Sequence, residues 1–228
     1  MELTMEQRIE IVRENIDRAS NGPVTLVGVA KTKPAELVRR AIAAGIDTIG
    51  ENYVQEFRDK SAAGAYDGAQ VHIIGRLQTN KVKYVVGKAS LIQSVDSERL
   101  LKMISEKAAS LGVVQDVLLE INIGCEEAKS GIAPQQLSEL LGYASGLSGV
   151  RVRGLMAIPP ADNTALYFPR MYQLYVDNRA KKYDNVSMDF LSMGMSDDYV
   201  QAIKEGANMV RVGSFIFGAR NYTINREA

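Results

Sequence analysis

The sequence predicts a single (β/α)8 (TIM) barrel carrying one extra helix at its N-terminus. Short apolar, β-branched runs alternate with helix-spaced segments along the whole 228-residue chain. Eight such strand–helix steps can be read, the number that closes a barrel. No Pro/Gly/Ser-rich linker, charge block or low-complexity tract interrupts them, so residues 1–228 read as one domain. An open doubly wound sheet is the second choice.

The elements follow in order. Met5, Ile9, Val12, Ile16 and Ala19 lie at helical spacing and make residues 1–20 an amphipathic helix ahead of the first strand. Strand one is 24–29. Leu37, Val38, Ala41 and Ile42 form the next helix, with Pro34 suited to its first position. Strands two, three and four are 47–50, 71–75 and 91–95. Leu100, Leu101, Ile104, Ala108 and Leu111 then repeat as a helix. Strand five is 114–123, followed by a helix carrying Leu137, Leu140, Leu141, Ala144 and Leu147. Strands six and seven are 150–158 and 188–192. Tyr199, Ala202 and Ile203 mark a weaker helix before strand eight at 209–212. The polar tail, 223–228, is expected to be poorly ordered.

Composition removes several classes of function. The 27 basic residues balance 27 acidic ones, so no electrostatic footprint for nucleic acid or an anionic membrane is present. With Cys125 and His72 the only residues of their kinds, an internal disulfide and a His-rich metal site are both excluded. There is no basic-then-apolar leader and no apolar run near ~18 residues, which points to a cytoplasmic protein.

A barrel concentrates its chemistry at the C-terminal ends of the strands. Read there, the sequence offers Lys31, Glu51-Asn52, Arg76, Asp96, Asn122, Met156, Ser192 and Arg211 through Ser214. Lys31 directly follows a buried strand. It is either a solvated loop lysine or an amine whose pKa desolvation depresses, free to attack an aldehyde. Lys33, beside Pro34, fits the solvated reading. Gly213-Ser214 follows the last strand, where barrels often seat a phosphate on backbone N–H groups and a hydroxyl. Alternation turns Arg211 inward, to meet either a core carboxylate or a ligand.

Other residues read more plainly. Ser196 suits a helix N-cap, with Asp197 and Asp198 on the positive end of the helix dipole. Those aspartates disfavour a phosphate at that helix start, although Ser192 could still donate to one. His72 reads as an interior histidine. Cys125 has no histidine near it in sequence, which argues against a thiol nucleophile.

Several blocks are long enough to resemble a known family. They are Ala30-Lys31-Thr32-Lys33-Pro34, Ile49-Gly50-Glu51-Asn52-Tyr53-Val54-Gln55-Glu56 and His72-Ile73-Ile74-Gly75-Arg76-Leu77-Gln78-Thr79-Asn80-Lys81. Lys129-Ser130-Gly131, Arg153-Gly154-Leu155-Met156, Leu191-Ser192-Met193-Gly194-Met195-Ser196-Asp197-Asp198 and Val210-Arg211-Val212-Gly213-Ser214-Phe215-Ile216-Phe217-Gly218 complete the set. In this order they resemble the pyridoxal 5′-phosphate (PLP) homeostasis proteins, whose barrel is similar to the N-terminal barrel of alanine racemase. The chain departs from many members at Ala30, where serine is common, and at Arg76, where proline or histidine is common.

The resemblance implies that Lys31 holds the PLP aldehyde as an internal aldimine. It implies that Gly213 and Ser214, with Ser192, bind the phosphate. Arg211 would face the ring nitrogen, and Asn52 and Met156 would line the ring pocket. An arginine on that nitrogen only donates hydrogen bonds, so it weakens the electron sink that PLP enzymes use. The reading is therefore a PLP carrier in cofactor homeostasis, without a robust reaction of its own. PLP-dependent apoenzymes are the partners it suggests, and a monomer is expected because a closed barrel has no open edge. The alternative is a small PLP-dependent amino-acid racemase.

Overall fold

The computed structural model describes residues 3–218, so the expectation for the 223–228 tail lies outside the described residues. Eight parallel strands close in sequence order into a barrel, with β8 pairing back onto β1. They are β1 (Thr25–Val29), β2 (Thr48–Glu51), β3 (Gln70–Ile73), β4 (Leu91–Val95), β5 (Gln115–Ile121), β6 (Val150–Ala157), β7 (Val186–Ser192) and β8 (Met209–Val212). Each sits within two residues of its expected bounds. The runs are legible because a strand buried on both faces needs a near-continuous apolar stretch.

The leading helix, α1 (Met5–Ala19), begins with a capping box. Thr4 Oγ1 accepts the Gln7 N–H at 3.3 Å, and the Gln7 side chain accepts the Thr4 N–H at 2.9 Å. Its buried stripe of Met5, Ile9, Val12 and Ile16 packs on α7 (Tyr199–Lys204) and α8 (Ser214–Phe217). The helix that opens the chain thus covers the two that follow the last strands. The remaining helices are α2 (Ala35–Ala43), α3 (Val54–Ala62), α4 (Glu98–Ser110), α5 (Leu137–Ser145) and α6 (Thr164–Arg179). After β3 the chain forms a 3₁₀ run, Thr79–Tyr84, in place of a full helix. Pro34 caps α2 from outside, and does not occupy its first turn as expected.

The core has two layers. The larger lies between strands and helices; the smaller lies in the barrel lumen and consists of Val27, Leu91, Leu118, Met156 and Met209, with Phe190 against it. The rest of the lumen is polar, holding His72, Gln93, Glu120, Ser192 and Arg211, all buried. Where β6 meets β7 the register shifts and the chains nearly touch. A Cβ on Gly154 would lie 1.9 Å from the Phe190 carbonyl oxygen, and its φ of +145° also calls for glycine.

Candidate functional site

Five of the seven expected site residues meet in one cavity of about 250 Å³ at the C-terminal mouth. Lys31 enters from the turn after β1, Asn52 from the end of β2, and Arg211, Gly213 and Ser214 from β8 and the turn that follows. Register explains the meeting. Val27 of β1 lies beside Arg211 of β8, so the residues just beyond both strands face the same space. A larger cavity of about 700 Å³ opens at the opposite mouth, among the first residues of the strands. Size does not decide between them, because barrel chemistry belongs to the C-terminal face.

Arg211 is buried, and burial lowers its pKa to about 10, so it stays charged at neutral pH. Its Nη1 donates to Ser192 Oγ at 2.6 Å and its Nη2 to the Ala157 carbonyl at 2.9 Å. Glu120 and Asp198 support the charge through space, but no carboxylate among the described residues pairs with it. The core ion pair that the sequence allowed is not formed. A guanidinium has five N–H donors, so several remain for an acceptor in the cavity.

Beneath Arg211 the hydrogen bonds run in one direction. Arg211 can only donate, so the Ser192 hydroxyl proton goes on to Gln93 Oε1 at 2.7 Å. The amide nitrogen of Gln93 must then face His72, whose Nδ1 lies 2.9 Å away. Burial lowers the His72 pKa to about 4, keeping the ring neutral with its proton on Nε2. Ser192 is therefore fully buried as a support for Arg211 and does not line the cavity. Met156 also stands apart, packed in the lumen cluster below. Ser192 ends β7 and Met156 is the last residue but one of β6, and neither lines the cavity.

The cavity includes residues that the sequence reading placed elsewhere. Lys33 lines it with Lys31; its Nζ donates to the Gly218 carbonyl at 3.2 Å, and burial lowers its pKa. It is not a solvated loop lysine. Between the two lysines Thr32 adopts φ +63°, and the Lys33 N–H donates across the turn to the Ala30 carbonyl at 3.1 Å. Ser196 also faces the cavity, and its Oγ accepts the Gly213 N–H at 3.2 Å. The N-cap of α7 is Asp198, whose carboxylate accepts the Met195 N–H at 2.6 Å. Asp197 lies on the rim, and Arg76 is exposed outside it. Asn52 Oδ1 is buried without a hydrogen-bond partner among the described residues. The Ser214 hydroxyl likewise makes no hydrogen bond among them. An unfilled acceptor, spare cationic donors and a free hydroxyl are the inventory of a site for a small, polar, anionic ligand.

The chain matches the family model of the alanine racemase N-terminal domain over residues 5–221. It is 43% identical over 220 residues to the pyridoxal phosphate homeostasis protein of Aquifex aeolicus, covering 94% of this chain and 96% of that one. The chain belongs to the pyridoxal phosphate homeostasis protein family. A solved structure, PipY of Synechococcus elongatus with PLP bound, superposes with a TM-score of 0.79 at 31% identity, covering 94% of this chain and all of that one. Alanine racemase from Streptomyces lavendulae, at 16% identity and a TM-score of 0.77, shares the barrel. This chain matches 56% of the racemase's length. Among the described residues, no helix is long and apolar enough to cross a membrane, and no group of acidic, His or Cys residues is placed to hold a metal ion.

Proposed function

We propose that this member of the pyridoxal phosphate homeostasis family binds PLP in the C-terminal cavity and acts as a carrier in cofactor homeostasis. The observation that carries the reading is the convergence of Lys31, Asn52, Arg211, Gly213 and Ser214 on one cavity, where the buried Asn52 Oδ1 is an unfilled acceptor. PipY, which shares 31% of its residues with this chain, is known with PLP bound. When bound, PLP supplies an aldehyde, which condenses with an amine and releases one water, and a pyridine ring that withdraws electrons.

The chain's own residues take separate parts. Lys31 presents the amine. Gly213 and Ser214 receive the phosphate, and Asn52 Oδ1 takes a donor from the ligand. Arg211 would donate a hydrogen bond to the ring nitrogen without giving up its proton, leaving that nitrogen unprotonated, so electron withdrawal would stay weak and turnover with it. Apoenzymes that need PLP are the recipients this reading implies.

The purified protein should be yellow after exposure to PLP, and borohydride should fix the cofactor to the peptide containing Lys31. Lys31→Ala should lose colour and label while keeping its circular-dichroism signature. Lys33→Ala should keep the label on Lys31. Labelling at Lys33 or Lys81, or a colourless wild-type protein in excess PLP, would sink the assignment. A racemisation assay with alanine separates a carrier from a racemase, which needs a second proton-carrying group across the cavity; sustained turnover would favour the enzyme.

A further inference from the structure

The turn that carries Lys31 is gripped on both sides by charges from another helix. Before Lys31, the Ala30 carbonyl accepts from Lys60 Nζ at 2.8 Å. After it, the Thr32 N–H donates to Glu56 Oε2 at 2.7 Å. Glu56 and Lys60 are one turn apart on α3 and pair at 3.1 Å. Lys60 also pairs with Glu51 Oε1 at 2.7 Å, and the Tyr66 hydroxyl donates to that same oxygen at 3.0 Å.

Two features mark this cluster as more than packing. Lys60 and Glu51 are both buried, at 6% and 0% exposure. Buried ion pairs are costly to desolvate and add little net stability, so their geometry needs another reason. Thr32 meanwhile adopts φ +63°, a left-handed conformation unfavourable for a β-branched residue. Such a conformation persists only where its surroundings hold it. Here the Lys33 N–H closes the turn onto the Ala30 carbonyl at 3.1 Å, and the one side chain that grips the Thr32 peptide is the Glu56 carboxylate, which Lys60 in turn holds.

We propose that Glu56 and Lys60 are positioning residues for Lys31. They fix the peptides on either side of it and so set where its amine stands in the cavity. This rests on the reading of Lys31 as the residue that captures the aldehyde. The clamp should matter for covalent capture, in which Lys31 Nζ joins the aldehyde carbon and one water leaves. It should not matter for ligand contacts made by Arg211, Gly213 and Ser214.

Pyridoxine 5′-phosphate separates the two, because it carries an alcohol where PLP carries the aldehyde. Glu56→Ala removes the acceptor for Thr32 at a half-buried site. It should weaken PLP binding about tenfold, the worth of one charge-assisted hydrogen bond, and slow borohydride-trappable capture at Lys31. Its affinity for pyridoxine 5′-phosphate, measured by calorimetry, should stay that of the wild type. Glu56→Gln, whose amide oxygen still accepts the Thr32 N–H, should restore most of the loss. If Glu56→Ala does not fold, Glu56→Asp keeps the charge near Lys60 but withdraws it by one methylene. It should then shift the ratio of the two affinities in the same direction.

Equal loss of both ligands would mean a general structural role and overturn the proposal. Unchanged PLP capture in a folded Glu56→Ala variant would overturn it too, while leaving Lys31's role intact. Absence of any label on wild-type Lys31 would overturn the underlying reading, and the clamp with it.

Discussion

Gln93 hands a hydrogen bond to Nδ1 of His72 across 2.9 Å of barrel lumen, and so holds the imidazole proton on the far nitrogen. The arrangement works only with a neutral ring. An imidazolium would set two donors against each other.

This gives a pH dependence with a definite sign. The folded-state pKa of His72 is about 4 against an ordinary 6.5, because burial outweighs the attraction of Asp47. Between those values the unfolded chain binds more protons, so stability falls as pH falls. The contribution is complete above pH ~6.5, and about 2 kcal/mol of it should be gone by pH ~5. Glu51 and Glu120, whose pKa values burial raises, act in the opposite direction. The difference between wild type and His72→Gln therefore isolates the histidine. Urea unfolding at both pH values measures it, and parallel profiles for the two proteins would contradict it.

Ser214→Asp tests the anion anchor. Ser214 is exposed, so the fold should be unaffected, while a carboxylate placed against the phosphate should lower PLP affinity by about tenfold or more. Equilibrium dialysis reads this directly. An unchanged affinity would remove the phosphate from the turn between β8 and α8.

Two glycines make a matched pair. A Cβ on Gly75 would stand 2.5 Å from the Asn52 carbonyl oxygen, a backbone atom that cannot swing away. Gly75→Ala should cost about 2 kcal/mol or more and displace Asn52 from the cavity. Gly142 lies within α5 with nothing within 4 Å of its Cβ position. Gly142→Ala should stabilise the protein by about 0.5–1 kcal/mol through helix propensity alone. Urea midpoints of the two variants should move in opposite directions.

The barrel was legible because strand burial writes itself into the sequence as apolar runs, and strand ends then name Lys31, Asn52, Arg211 and Gly213-Ser214. Depth was not legible. Ser192 ends its strand, and Met156 is the last residue but one of its own as Arg211 is, yet neither lines the cavity, because height in a lumen depends on barrel stagger. The cavity place of Lys33 is not legible, because its contact with the Gly218 carbonyl spans most of the chain and a positive φ at Thr32 leaves no mark in the sequence. Ser196 looked like a cap because Ser-Asp-Asp is good capping chemistry; the turn gives the cap to Asp198 and Ser196 to Gly213. The grip of α3 on the Lys31 turn joins residues more than twenty positions apart, beyond the reach of periodicity.

The pairing of β1 with β8 has a consequence for when the site comes into being. Lys31 lies in the turn after the first strand made and Arg211 in the last, so the cavity straddles the seam where the barrel shuts. A growing chain has no such cavity until its final strand has left the ribosome and docked. A ligand fastened to Lys31 on one side and to the turn after Arg211 on the other would act as a buckle across that seam. It would hold together the one strand pair that no short connection supports. Under the proposed function, specific cofactor uptake through this cavity would wait for the closed barrel.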